Sequence, residues 1–370
     1  QIDKQGIKIF ANAQDKNNKK SEFEINYSQI KNFNAQLKTS SSTEIFSSYQ
    51  KGKYTSKDIE QKKEIKSKLK GYKIAIDPGH IASSFAEGDL EKKYLKLKVE
   101  DITDSIEIAE GILTYATAIL LKQKLEKEGA EVFITRKNGT SAFGKTFEQW
   151  KKDDYKKTID SLFKIGKLKS FQKEYFLGAK VKDRDIFRVI FKDLDLAKRA
   201  ELINAYKPDL TIIIHYNVDE TNLEWKKTTD KNFNMAFIGG AFMKNDLSSP
   251  EKRFEFLRML ISNDIEESLQ LSSATVRNFE HILQVKTASM NDATYLQEGC
   301  LSTSEKGVYC RNLQLTRYIH GPLVYGETLY QDNKNECKLL NKETDKTKNE
   351  RIKQVAESYY KGIIEYISSK

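Results

Sequence analysis

The strongest constraint on the fold is a strand, helix, strand pattern in the first half of the chain. Residues 73–76 are a short apolar run that predicts a buried strand. An amphipathic helix is predicted from Glu110 and ends at Gly129, and residues 131–136 predict a second strand. Such a unit gives two parallel strands with a right-handed crossover. We therefore predict an α/β fold with a single, mostly parallel, twisted sheet and helices on both faces.

Further apolar runs at residues 209–214 and 323–325 predict additional strands, and residues 351–367 predict a closing amphipathic helix. Two long stretches interrupt this pattern. Residues 137–195 are rich in Lys and Phe and predict a helical insertion. Residues 218–305 form a second long connection, which is a candidate for a regulatory insertion.

The N-terminal part of the chain differs from the rest in composition. Residues 1–70 are polar and have no sustained hydrophobic period, which predicts an N-terminal extension or a small subdomain, with a helix from about Ser56. Residues 71–370 are predicted to form the main domain. No apolar run is long enough for a transmembrane segment. The chain begins at Gln1 without an apolar leader, and we expect that a signal peptide has been removed.

Charge and cysteine content limit the classes of partner. The chain has 63 basic and 53 acidic residues and a net charge of +10, which suits an anionic polymer, although solvated Lys-rich helices are the simpler interpretation. We find no nucleic-acid-binding motif and expect no nucleic-acid partner. Cys300, Cys310 and Cys337 lack the spacing of a structural zinc site, so one disulfide with a spare thiol and three free thiols are equally consistent.

Four residues that can bind a metal or work beside one follow apolar runs. His80 follows Ile74-Ala-Ile-Asp-Pro-Gly, Glu110 starts the predicted helix, His215 ends an Ile-rich run and Glu327 follows Leu-Val-Tyr-Gly. Open α/β sheets build their sites at the carboxyl ends of strands. Two histidines and a carboxylate are the ligand set of a catalytic zinc, and a further carboxylate is the base that a zinc-bound water needs. The pattern therefore predicts a zinc hydrolase.

Alternatives remain for individual residues. Glu110 is also explained by the favourable position of a carboxylate at a helix N-terminus, and Glu107 and Glu100 are rival ligands nearby. The pair of histidines is more informative than either alone, because the chain has four histidines in total. The other two, His281 and His320, are expected on the surface or in core hydrogen bonds.

In their order along the chain, these segments resemble the motifs of the zinc-dependent N-acetylmuramoyl-L-alanine amidases, which are cell-wall hydrolases of the Amidase_3 type. The resemblance spans about residues 71–367. It is carried by Ile74-Ala-Ile-Asp-Pro-Gly-His80, the Glu110 helix, Phe133-Ile-Thr-Arg136, Leu196-Ala-Lys-Arg199, Asp209-Leu-Thr-Ile-Ile-Ile-His215-Tyr-Asn217, Gly307-Val-Tyr and Pro322-Leu-Val-Tyr-Gly-Glu327-Thr.

The resemblance implies one Zn²⁺ per chain, held by His80, Glu110 and His215, with Glu327 as the catalytic carboxylate. It implies hydrolysis of the amide between N-acetylmuramic acid and L-alanine in peptidoglycan, for cell-wall remodelling or daughter-cell separation, in the periplasm or outside the cell. Substrate contacts are expected from three polar residues of these motifs, which are Asn217, Thr328 and Arg199.

The chain departs from the family pattern at three places. His80 is followed by Ile81-Ala82 instead of two glycines, Ile112 replaces an asparagine, and Glu327-Thr is followed by Leu329-Tyr330 instead of Gly-Phe. These changes motivate an alternative, an inactive or autoinhibited amidase-fold protein that binds peptidoglycan. A zinc peptidase or deacetylase is a second alternative.

A protein activator is a further partner that the resemblance implies for some members, in which a helical insertion after the third ligand covers the zinc. The helix predicted at residues 251–271 lies in the corresponding interval. We favour its interpretation as an ordinary core-packing helix.

Overall fold

An eight-stranded mixed sheet is the largest sheet of the computed structural model, which describes residues 4–10, 13–21, 23–27, 69–99 and 105–370. The strands of the described residues are β1 (Gly6–Ile9), β2 (Phe23–Asn26), β3 (Lys73–Pro78), β4 (Tyr94–Leu97), β5 (Ile106–Ala109), β6 (Glu131–Ile134), β7 (Leu210–Asn217), β8 (Phe233–Ile238), β9 (Lys286–Thr287), β10 (Cys300–Ser302), β11 (Val308–Arg311) and β12 (Leu323–Tyr330). The order in the large sheet is β10-β11-β8-β12-β7-β3-β6, with β9 beside β8.

The α-helices of the same residues surround this sheet and extend its connections. They are α1 (Ala13–Asn17), α2 (Phe85–Glu91), α3 (Glu110–Lys127), α4 (Phe147–Asp153), α5 (Tyr155–Lys164), α6 (Ser170–Leu177), α7 (Asp183–Ile186), α8 (Lys192–Tyr206), α9 (Pro250–Ile261), α10 (Asp264–Leu283), α11 (Thr294–Gly299), α12 (Gln314–Tyr318), α13 (Glu336–Leu340) and α14 (Glu350–Ser368). A π-helical turn, Phe187–Phe191, connects α7 to α8. None of the helices in the described ranges is both long and apolar enough to cross a membrane.

Most strand pairs of the large sheet are parallel, and the predicted pair β3 and β6 is one of them. Only β12 with β8 and β10 with β11 are antiparallel. Side chains of β7 alternate between two apolar clusters: Ile212 and Ile214 pack in the cluster that includes α3, α10 and α14, whereas Ile213 packs with α8 and α12. Helices therefore cover both faces, and the predicted α/β fold is confirmed.

The hairpin of β4 and β5 is a small second sheet that leads directly into α3. At the N-terminus, β1 and β2 form a third small sheet. The helix predicted from Ser56 lies outside the described residues. The boundary at residue 70 and the assignment of two insertions stay predictions.

The segment from α4 to α8 has an apolar cluster of its own, built on Phe147, Trp150, Phe187 and Phe191. Ile81, the residue after His80, belongs to this cluster. The helical stretch therefore packs directly behind the turn that carries a predicted metal ligand.

The single helix predicted at 251–271 is wrong, because α9 ends at Ile261 and α10 begins at Asp264. Ser262 ends α9 because its backbone is extended, and its N–H donates the last hydrogen bond of the helix, to the carbonyl of Arg258. Buried side chains of α10, including Leu271 and Phe279, belong to the main core. The three cysteines are free thiols.

Candidate active site

The turn after β3 brings His80 against His215. The residue between strand and histidine must be glycine, because a Cβ at Gly79 would lie 2.3 Å from Cε1 of His215. His80 itself has φ = 61°, a left-handed conformation that is uncommon for a residue with a side chain. The two imidazole rings consequently meet edge to face, with centroids 4.8 Å apart.

Glu110 completes a three-residue cluster with these histidines. It is the first residue of α3, directly after β5, and its Oε1 lies 3.1 Å from Nε2 of His80 and 3.1 Å from Nδ1 of His215. One candidate ligand atom from each of the three residues lies within 4.8 Å of the other two. The structure thus brings together the three residues that the sequence predicts as metal ligands.

The carboxylate of Glu110 is buried and fixed by several donors. The backbone N–H of Tyr216 donates to Oε1 at 3.1 Å, and the side-chain amide of Gln331 donates to Oε2 at 3.2 Å. The ammonium of Lys93 lies 3.5 Å from Oε2. Burial opposes ionisation, but the positive charges of His80 and Lys93 outweigh it and hold the pKa of Glu110 well below its usual range.

Glu91, at the end of α2, orients His80 from behind. Its Oε1 lies 3.0 Å from Nδ1 of His80, and its Oε2 accepts backbone N–H bonds from Ile81 and Ala82. Although burial alone favours the uncharged forms, this ion pair lowers the pKa of Glu91 to about 2, and the charges of Glu110 and Glu91 raise that of His80 to about 8. Nothing in the sequence singled out Glu91, because α2 lies in a stretch without a motif.

His215 lies in a different electrostatic environment from His80. Its side chain is almost completely buried, and Tyr325 stacks on its ring with centroids 4.4 Å apart and an interplanar angle of 6°. Burial lowers the pKa of His215 to about 4. The imidazole is therefore neutral at physiological pH, which is the form that binds a metal.

Glu327 faces the same cleft from the neighbouring strand. Strands β7 and β12 are parallel, with Glu327 directly opposite His215 in the register. Gly326 is required beside it, because a Cβ there would lie 2.3 Å from the hydroxyl oxygen of Tyr359. Oε2 of Glu327 is buried and has no hydrogen-bond partner, and burial together with the negative charge of Glu110 raises the pKa of Glu327 to about 7.

Arg199 supports the His80 turn from below. Its guanidinium donates to the backbone carbonyls of Pro78 at 2.7 Å and His80 at 2.8 Å, and it pairs with Asp77 and Asp195. These internal partners position the turn. These hydrogen bonds and ion pairs do not support the predicted substrate contact of Arg199, although the residue is part of the cleft wall.

The other predicted residues lie around the site rather than in it. Asn217 donates to the hydroxyl of Tyr295 at 2.8 Å, and Thr328 is buried with its hydroxyl donating to the carbonyl of His215 at 3.2 Å. Neither lines the cleft. Glu107 pairs with Lys96 at 2.8 Å, away from the histidines, so Glu110 is the carboxylate that reaches the cluster. The other rival, Glu100, lies outside the described residues.

The two remaining histidines lie outside the three-residue cluster. His281 is exposed near the end of α10. His320 is buried, with its Nε2 3.6 Å from Glu255.

The cluster suits a zinc ion on the chemistry of its donor set. Two imidazoles and one carboxylate converge, and Nε2 of His80 is buried without a hydrogen bond of acceptable geometry, as expected for a ligand atom. Glu91 holds the opposite nitrogen of the same ring, which is the usual arrangement behind a metal-bound histidine. A cleft of about 290 Å³ opens onto His80, His215 and Glu327.

The chain is similar to known proteins of one family. A model of the Amidase_3 family, described as N-acetylmuramoyl-L-alanine amidase, matches residues 74–365. No curated protein sequence matches significantly. Solved structures similar to the chain include the CwlD amidase from Clostridioides difficile in complex with the GerS lipoprotein (17% identity, 81% of this chain and 100% of that chain, TM-score 0.45). Another is the N-acetylmuramyl-L-alanine amidase Ami1 from Mycobacterium abscessus (16% identity, 80% and 99%, TM-score 0.42). At these identities and TM-scores, the family model is what carries the comparison.

Proposed function

We propose, since the chain belongs to the Amidase_3 family of N-acetylmuramoyl-L-alanine amidases, that its catalytic centre is the cleft formed by His80, Glu110, His215 and Glu327. As an enzyme of this family, it hydrolyses the amide between N-acetylmuramic acid and L-alanine in peptidoglycan. The observation that supports this centre is the convergence of two imidazoles and a carboxylate opposite an unpartnered glutamate. That arrangement gives no reason to favour an inactive binding protein.

We assign one zinc ion per chain to His80, Glu110 and His215. When bound, zinc supplies a Lewis acid for the amide carbonyl and lowers the pKa of a water molecule toward ~7. Glu91 keeps Nδ1 of His80 occupied, so that Nε2 points toward Glu110. Arg199 holds the backbone of the same turn through the carbonyls of Pro78 and His80. These two residues position a ligand and do not touch the reacting atoms.

Glu327 is the proton carrier in this proposal. Its free Oε2 accepts the proton of the attacking water, and the resulting acid returns it to the departing α-amine of L-alanine. A buried carboxyl with a pKa near neutrality suits both steps, because it neither holds nor releases the proton too strongly. The stacked ring of Tyr325 covers one face of His215.

The location of the reaction follows from its substrate. Peptidoglycan lies outside the cytoplasmic membrane, so we propose a secreted protein that acts in the periplasm or outside the cell. A protein activator stays a prediction. Of the described residues, those that line the cleft include none from α9 or α10, so neither helix covers the site.

Elemental analysis and peptidoglycan digestion together test the proposal. We expect one zinc per chain in the wild type, released stem peptides with a free L-alanine amine, and loss of both metal and activity in His215→Ala. A wild-type protein that binds no zinc, even when zinc is supplied during refolding, would overturn the proposed centre. Release of peptides that do not begin with a free L-alanine would instead indicate a peptidase.

A further inference from the structure

Arg311, the last residue of β11, lies in the cleft, and among the described residues no carboxylate is close enough to form an ion pair with it. Its guanidinium lies 4.7 Å from the ring centroid of Phe237 and 4.9 Å from that of Tyr295. Those two rings contact its guanidinium, and its positive charge also acts on Glu327 in the same cleft. Among the described residues, no carboxylate makes an ion pair with Arg311 and no acceptor bonds its side chain.

The deeply buried arginines of the structure have different partners from Arg311. The deeply buried ones are each met by carboxylates or carbonyl oxygens: Arg199 by Asp77 and Asp195, Arg258 by Glu255 and Asp264, Arg351 by Glu336, and Arg136 by the carbonyls of Pro78 and Gly79. Arg311 is only partly buried and lines the cleft without such a close partner. A fixed, partly buried cation with free donors is a preorganised anion site.

The cleft places Arg311 within reach of the substrate. Arg311 lines the same cavity as His80, His215 and Glu327. The three other lysines and arginines of its wall already have partners in the chain. Arg199 pairs with Asp77 and Asp195, Lys93 lies 3.5 Å from Glu110 and Lys192 lies 3.6 Å from Asp193. Arg311 is therefore the cation of the described wall that is available to a ligand.

The chemistry of the substrate decides which group meets it. The lactyl carboxyl of N-acetylmuramic acid is consumed in the scissile amide, so the glycan side offers no carboxylate near the reaction. The stem peptide does, and the carboxylate nearest to the scissile bond belongs to its second residue. A guanidinium binds a carboxylate through two parallel N–H···O bonds, a geometry that a carboxamide cannot reproduce because it replaces one acceptor by a donor.

We propose that Arg311 binds the free carboxylate of the second stem residue and makes the enzyme prefer stems in which this group is not amidated. The proposal rests on the proposed function, because it assumes that the stem peptide enters this cleft. In the bound state, the two rings keep the fork of Arg311 in place while Glu327 acts on the neighbouring amide.

Binding of two matched peptides tests the assignment without catalysis. One probe is L-Ala-γ-D-Glu-L-Lys with an amidated C-terminus, whose single carboxylate is the α-carboxylate of D-Glu. The other probe is the same peptide with a carboxamide in place of this α-carboxylate. By calorimetry, we expect the wild type to bind the first on the order of 10- to 100-fold more tightly. Arg311→Gln should bring the ratio of the two dissociation constants close to one. Arg311→Lys, which keeps the charge but loses the fork, should give an intermediate ratio.

Both dissociation constants of a ratio are measured on the same protein, so an unfolded fraction of a variant affects them equally and cancels in the ratio. Lys192→Gln removes the same charge from the same cleft and should leave the ratio intact. A ratio near one in the wild type, a ratio unchanged in Arg311→Gln, or an equal loss in Lys192→Gln would overturn the assignment.

Hydrolysis separates this inference from the proposed function. On muropeptides carrying the same two groups, Arg311→Gln should raise KM for the carboxylate substrate more than for the carboxamide substrate. Because the charge of Arg311 also acts on Glu327, any change in kcat should be the same for both substrates. Selective peptide binding with no hydrolysis would contradict the catalytic proposal alone. Hydrolysis without discrimination between the two substrates would contradict the role of Arg311 alone.

Discussion

Glu327 illustrates how a single residue acquires its chemistry from its neighbours. A glutamate is expected on the surface from its sequence alone. In the structure, Glu327 is buried opposite His215, and its Oε2 has no hydrogen-bond partner. The negative charge of Glu110 adds to the effect of burial and raises its pKa. A glutamate in these surroundings is suited to proton transfer near neutral pH.

Replacing Glu327 by Gln should abolish the proton transfer while keeping the shape of the side chain. We expect hydrolysis to fall by at least about 10²- to 10⁴-fold, the range typical of general acid–base groups. Zinc content should stay at one per chain, because Glu327 is not among the three clustered residues. Peptidoglycan turnover and elemental analysis on the same sample measure both. Substantial activity in the fully loaded variant would exclude Glu327 as the base.

Glu91→Gln tests the positioning of His80. Loss of the ion pair at 3.0 Å should weaken zinc binding about 10- to 100-fold, as removal of such partners does in other metal sites. Activity should recover when zinc is added in excess, because no reacting group has been removed. Competition with a chelator gives the affinity. Glu107→Gln is the matched control, since that carboxylate pairs with Lys96 away from the site. Equal losses in both variants would contradict the role of Glu91.

At the scale of elements, the helical segment from α4 to α8 supports the site through its own core. Ile81 follows His80 directly and packs into the cluster of Phe147, Phe187 and Phe191. The family pattern has a glycine at this position, and the isoleucine gives the turn an apolar anchor in the helices from α4 to α8. The departure from the pattern therefore has a packing explanation.

Phe191→Ala should destabilise this segment. The ring is fully buried and contacts the rings of Phe143, Phe147, Trp150 and Phe187. Its removal leaves a cavity that should cost about 3–5 kcal/mol of unfolding free energy. Val189→Ala in the same π-helical turn is the control, because Val189 is 47% exposed, and its cost should stay near ~0.5 kcal/mol. Guanidinium unfolding curves compare them, and similar midpoints would contradict a separate core at Phe191.

For the whole molecule, the charges at the site couple stability to pH and to metal. The folded-state pKa of His80 is raised from 6.5 to about 8, so its stabilising contribution is complete below pH 6.5 and is lost as pH rises through 8. Burial and the charge of Glu110 raise the pKa of Glu327 from 4.5 to about 7 in the folded state. The folded protein therefore holds this proton more strongly than the unfolded chain, and stability is lost as pH rises from 4.5 through 7. Both effects make the metal-free protein less stable as pH increases.

The metal-free protein should therefore unfold at a lower temperature at pH 8.5 than at pH 6. The rise for His80 corresponds to about 2 kcal/mol, at ~1.36 kcal/mol per pH unit. Added zinc should reduce or reverse this trend, because it competes with the proton on His80 and binds better at high pH. Thermal unfolding with chelator and with zinc measures the change. In His80→Gln, the metal-free slope should flatten, and an unchanged slope would contradict the assignment to His80.

The sequence by itself determined the α/β class and the strands β3, β6, β7 and β12, and it predicted candidate site residues, because all of these depend on local patterns. Buried strands need apolar runs, the helix after Glu110 needs an amphipathic period, and the turn before His80 needs Pro78-Gly79. Glu110 could be distinguished from Glu107 and Glu100 only by its position at the helix start, and the sequence left the three as rivals.

Tertiary structure decided everything that depends on residues distant along the chain. The β4–β5 hairpin delivers Glu110 to His215, and α2 delivers Glu91 to His80. Arg199 has internal partners and Arg311 lies in the cleft without a close ion pair, although both are plain basic residues in the sequence. Burial and the sum of nearby charges set pKa values and partner choice, and these quantities exist only after the chain has folded.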